Sequence, residues 1–216
     1  MKYIITVLLT FPLILVFCKK DSAEDNGCIT RKPVSPKGHT INSADIATVD
    51  KLFLSNGIDN SNFRYFRYTH DTMQIYYAPY TKYDHKLVRV EQFANGLHVF
   101  GADMVFNFKN DIISSSGNNS FDVSSLEKIP HLTLPRVRKL FSGDIKQNYT
   151  SGTNDSDPCF DAEFGYYKKT TAIGSNENKT VKAWKVTMKN KEYPVGYYED
   201  EDGKRIYFDN GIRTFY

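Results

Sequence analysis

Val88-Arg89-Val90-Glu91-Gln92-Phe93-Ala94-Asn95-Gly96-Leu97-His98-Val99-Phe100-Gly101-Ala102-Asp103 is the stretch on which the reading of this chain turns. Apolar and polar side chains alternate on either side of Asn95-Gly96, a pair that accepts the positive backbone angles of a two-residue hairpin turn. Alternation at period two is what a half-buried strand requires, so the spacing predicts antiparallel strands over 87–94 and 97–108. Upstream, similar runs predict strands over 63–69 and 73–77. Before them Asn42 reads as a helix N-cap, with Asp45 completing the capping box and Ile41 stapled to Ile46. Ile46, Val49, Leu52 and Phe53 then line one face, and Gly57 supplies a left-handed stop, which predicts a helix over 43–56.

The second half repeats this order loosely. Thr133 caps a helix with Pro135 in its first turn and Leu134, Val137, Leu140 and Phe141 on one face before Gly143. Strands are predicted over 161–170, 181–188, 193–199 and 205–208, with Asp202-Gly203 turning between the last two. The expected fold is therefore α+β and sheet-rich, built as two units that each join a helix to an antiparallel sheet, over 41–117 and 118–216.

A chain of 216 residues suits one domain of good size or two small ones. Its 28 Lys and Arg against 25 Asp and Glu are mixed along the chain and form no basic stripe, so nucleic acid is not an expected partner. The 15 Tyr and 15 Phe fall in alternating runs, which again favours strands over helices.

Residues 1–18 open with Lys2 and run apolar from Ile4 to Phe17, the length of a signal-peptide core and too short to span a bilayer comfortably. The run ends Leu15-Val16-Phe17-Cys18, followed by Lys19, Lys20 and Asp21. This resembles a bacterial lipobox with a polar leash over 19–40, which implies lipidation at Cys18, a membrane anchor and a place in the cell envelope, at the outer membrane. Phe17 departs from the small residue such a signal carries before its cysteine, which leaves secretion without Cys18, or an uncleaved anchor, as alternatives. With Cys18 lipidated, Cys28 and Cys159 remain as an even pair in an oxidising compartment, and a disulfide between them is expected against the alternative of two free thiols.

The hairpin stretch 88–103, with its Gln-aromatic pair, Asn-Gly turn and Val-Phe-Gly strand, resembles the propeptide domain of fungalysin and thermolysin-type proteases. Ala183-Trp184-Lys185-Val186 and Gly196-Tyr197-Tyr198-Glu199-Asp200-Glu201-Asp202-Gly203-Lys204 resemble the related PepSY module, and the helices at 41–57 and 133–143 stand where both families place theirs. The resemblance implies an inhibitor, folding aid or targeting module that acts on an exported protein. Read as residues alone, Val88, Val90, Leu97, Val99, Phe100, Trp184 and Val186 are what hairpins and a core need.

Chemistry-bearing motifs are sparse. The chain holds no His-Glu-x-x-His string, no Gly-x-Ser-x-Gly elbow, no Gly-rich phosphate loop and no Cys-x-x-Cys pair. Of His39, His70, His85, His98 and His131, only His70-Asp71 and Asp84-His85 set a carboxylate beside an imidazole, which reads as exposed strand ends before it reads as metal ligation. Asp200, Glu201 and Asp202 lack the remaining ligands of a calcium loop and read as an acidic turn. No catalytic residue, metal or cofactor is expected. Tyr76, Tyr77, Tyr80 and Tyr83 around Pro79 make the candidate recognition surface, since exposed tyrosine offers large contact area at small entropic cost; the competing reading is aromatics folded over a strand end. The function expected is that of a non-enzymatic envelope lipoprotein that binds an exported protein partner, possible roles being peptidase inhibitor or folding aid; the alternative is a surface lipoprotein binding a glycan or peptide.

Overall fold

The computed structural model describes residues 27–75, 80–117, 121–148, 158–170 and 178–212. Among these, twelve elements follow in order: β1 (Ile29–Arg31), α1 (Ser43–Ser55), β2 (Phe63–Ile75), β3 (Thr81–Ala94), β4 (Leu97–Phe100), β5 (Met104–Lys109), β6 (Ile112–Ser116), α2 (Leu134–Asn148), β7 (Phe160–Thr170), β8 (Asn178–Met188), β9 (Val195–Glu199) and β10 (Arg205–Asp209).

The first helix forms as its cap dictates. Asn42 Oδ1 accepts the Asp45 N–H at 2.9 Å while its amide donates to the Asp45 carboxylate at 2.7 Å. Val49, Leu52 and Phe53 are buried against Tyr65, Val88, Val90, Phe106 and Phe108 of the sheet. The second helix runs past Gly143, where the sequence suggested a stop. Ile145 continues the Val137–Phe141 stripe onto the core, and that apolar burial outweighs the roughly 1 kcal/mol a mid-helix glycine costs.

Asn95 and Gly96 take φ of 55° and 80°, and Phe93 pairs with His98 and Ala94 with Leu97, as the hairpin pattern requires. The second hairpin arm, however, is not one strand. It breaks at Gly101, whose φ is 74°, and the chain splits its allegiance there. β5 returns to β3, from Val90 opposite Met104 to His85 opposite Lys109. β4 instead leaves β3 and pairs in parallel with β7, Val99 to Tyr166 and Phe100 to Tyr167. The buried Gln92 side chain donates to the Ala102 carbonyl and holds the break in place.

This parallel contact overturns the expected fold class. Among the described residues ten strands form one mixed sheet, in the order β10-β9-β8-β7-β4-β3-β5-β6 with β1 on β7 and β2 on β3, and there are only two helices. The fold is mostly β, and not α+β with two helix-plus-antiparallel-sheet units. The pattern of turns reported the hairpins correctly but carries no trace of β4 on β7. The leash expected over 19–40 is corrected in part as well: Ile29–Arg31 is a strand, parallel to Phe160–Ala162. Three apolar clusters line the sheet, one under α1, one under α2, and a small one of Val99, Ala102 and Tyr166 where β4 bridges them.

Candidate functional site

β2 and β3 stay in register from Phe63 opposite Gln92 to Ile75 opposite Thr81, with one bulge between Tyr65 and Arg67. β5 accompanies β3 only as far as His85. One residue on, Asp84 donates its N–H to Asn110 Oδ1 at 2.9 Å and accepts the Asn110 N–H at 2.8 Å. Beyond this point β2 and β3 continue as a two-stranded arm with no third strand among the described residues. Its base is tied by charge: Asp84 bonds His70 and lies 2.8 Å from Lys86, and Lys86 also bonds Asp111. Hydrogen bonds from Lys86 and His70 hold the Asp84 carboxyl below the usual carboxylate range, and Asp111 with Asp84 raises the Lys86 ammonium.

The arm carries the tyrosines singled out by sequence. Tyr80 is 71% exposed and Met73, which faces Tyr83 across the ribbon, is 45% exposed. Tyr83 is half-buried, its ring 4.5 Å from Lys109 Nζ and edge-on to His85. Tyr76 and Tyr77 lie outside the described residues. An isolated ribbon buries little, so its side chains are presented to whatever comes near.

A second polar site, which sequence reasoning missed, sits where β4 meets β7. His98 is 5% exposed, stacks on Phe93 with centroids 5.2 Å apart and meets Phe100 edge-on. Its Nδ1 is 3.0 Å from Glu163 and its Nε2 4.0 Å from Glu91, which Arg64 holds. The close approach needs Gly165, where a Cβ would stand 2.5 Å from the His98 carbonyl oxygen. A cleft of about 330 Å³ adjoins it, with Arg31, Lys32 and Leu97 in its wall. No nucleophile stands beside this imidazole among the contacts described, so the Glu163–His98 pair fastens β4 to β7 and has the makings of only part of a catalytic triad. The one signal for it in the sequence is a histidine at an inward position of an otherwise apolar strand.

The remaining candidates resolve individually. His70 bonds Asp84 and His131 lies 2.9 Å from Glu201, both at the surface. Among the described residues no group of three or more His, Cys, Asp or Glu is arranged to hold a metal ion. Asp200 is not part of an exposed acidic turn: it is fully buried and accepts from Trp184 Nε1 at 2.9 Å and from the His131 and Leu132 N–H groups at 2.8 and 3.1 Å. Cys28 and Cys159 stand at disulfide distance, Cα atoms 4.4 Å apart, beside the β1–β7 pair. Cys18 lies outside the described residues, and among those described no helix is long and apolar enough to cross a membrane. No protein-family model matches the chain, and no curated protein matches it.

Proposed function

We propose that this chain is an exported envelope lipoprotein, anchored through Cys18, that binds an exported protein, a peptidase or its precursor, without catalysing a reaction itself. One observation carries the reading: a two-stranded arm, tied at its base by Asp84, Lys86 and Asp111, carries Met73 and Tyr80 exposed beyond the end of β5. Aromatic and methionine side chains on a preorganised support are what interface hot spots are built from. The resemblance of 88–103 and 183–204 to propeptide and PepSY modules supplies the class of partner.

Affinity capture from envelope extract tests this. A peptidase or precursor should be retained by the wild-type chain, and Met73→Ser/Tyr80→Ser should weaken it by on the order of tenfold or more with circular dichroism unchanged. Retention at wild-type affinity by that variant, or no capture at all, overturns the reading.

A second reading, glycan binding, has its own support on the sheet face turned from α2. There the Tyr197 ring lies 5.1 Å from that of Tyr167 and 6.3 Å from that of Tyr207, a cluster of the kind that stacks on sugars. Retention on an oligosaccharide matrix that is lost in Tyr207→Ser, with no protein captured, decides for it.

A further inference from the structure

We infer that the outer edge of β2 pairs antiparallel with the same edge of a second copy of this chain, centred on Thr69. This goes beyond the proposed function, because it uses the main-chain edge of the arm and takes a second copy of the chain as its occupant.

The backbone register shows which groups are available. Asp84 turns its N–H and C=O toward Asn110, on the β5 side of β3. Alternate residues of β3, Tyr83, His85, Leu87 and Arg89, therefore turn theirs toward β2, and so do their partners Met73, Asp71, Thr69 and Arg67 toward β3. Tyr68, His70 and Thr72 are left with main-chain groups directed outward, and β2 has no second strand neighbour among the described residues. Toward its start the edge is closed: Thr40 N–H donates to the Tyr65 carbonyl at 2.9 Å, the Tyr65 N–H donates to His39 Nδ1 at 3.0 Å, and the Phe63 N–H donates to the Asn60 carbonyl at 3.1 Å. An edge of this kind is a template for one more strand.

Charge selects the occupant. Within the chain Arg67 stands opposite Arg89, a like-charge cross-strand pair that costs stability; both are exposed and neither makes an ion pair among the described residues. Asp71 is likewise exposed, four residues along the same strand. A two-fold axis at Thr69 sets Arg67 of each copy opposite Asp71 of the other, in the non-hydrogen-bonded position where side chains lie closest. Tyr68 then exchanges main-chain hydrogen bonds with His70, and Thr69 faces Thr69, a favourable cross-strand pair. Shifting the axis to His70 sets Arg67 against Met73, and shifting it to Asp71 sets two aspartates face to face. Of these only the Thr69 register sets Arg67 against an opposite charge, and its ladder spans Arg67 to Asp71 of each copy, because Met73 of one copy falls opposite Tyr65 of the other, where the edge is closed.

Sedimentation velocity of the mature protein in detergent should show a mass that rises with concentration from one copy to two. Asp71→Arg should weaken the dimer by on the order of tenfold, and Arg67→Asp/Asp71→Arg should restore it. Thr69→Cys should form an intermolecular disulfide under mild oxidation, above the background of the parent chain, and His70→Cys should not. That cross-link decides the matter should a charge variant fail to fold. A chain that stays monomeric at about 100 μM, a dimer indifferent to Asp71→Arg, or no Thr69 cross-link each overturns the inference.

Discussion

Asp200 is the residue with most riding on it. Its carboxylate has no exposed surface, takes hydrogen bonds from Trp184 and from the chain leading into α2, and lies 3.3 Å from Lys182 Nζ. Removing one member of such a buried set strands the others, so Asp200→Ala should cost about 3–5 kcal/mol, read from urea denaturation. Asp200→Asn, which keeps an acceptor, should cost less. Gly165 is the second such position: in Gly165→Ala the new methyl meets the His98 carbonyl oxygen at 2.5 Å and the Phe100 ring at 3.0 Å. Two backbones must separate, which should cost about 1–3 kcal/mol, with near-ultraviolet circular dichroism reporting the disturbed aromatics around His98. Neither role is legible in sequence. Asp200 stands in an acidic run beside Gly203 that looks like any solvated turn, and only the approach of residues 131 and 132 from elsewhere in the chain buries it.

At the scale of the element, the arm depends on its charged base. The Asp84 carboxyl has a folded-state pKa below its unfolded value, so its contribution is complete above the ordinary carboxylate pKa of about 4 and is lost as pH falls through the lowered one. Amide hydrogen-exchange protection over 71–75 and 81–84, measured relative to the intrinsic rate at each pH, should therefore fall on acidification through that window while the core strands hold. In Asp84→Asn the arm should already exchange fast at neutral pH, which checks the assignment. The arm's strands were visible in sequence as alternating runs. Their continuity was not: runs at 63–69 and 73–77 read as separate strands, because the polar His70-Asp71-Thr72 between them resembles a break. In the structure β2 passes straight through, since His70 finds Asp84 across the ribbon.

For the molecule as a whole, the Cys28–Cys159 pair closes a sequence separation of 131 residues and sits where β1 joins β7. Cys28→Ser/Cys159→Ser should lower stability by about 2–4 kcal/mol, measured by urea denaturation of the non-reduced proteins. Mass spectrometry of the mature N-terminus should find an acylated Cys18; an N-terminus elsewhere with no acyl mass would leave plain secretion. Both helices, the Asn95-Gly96 turn and most strand positions were determined by the sequence itself, because capping, period and turn chemistry act between neighbours along the chain. How those pieces join was decided only in three dimensions. Val99 and Phe100 carry the same alternation whether they stay on β3 or cross to Tyr166 and Tyr167, and Ile29-Thr30-Arg31 is too short to show any period. Parallel pairing between distant segments needs no turn and leaves no local mark, so the single mixed sheet, with the burial of His98 and Asp200 that follows from it, belongs to the tertiary structure alone.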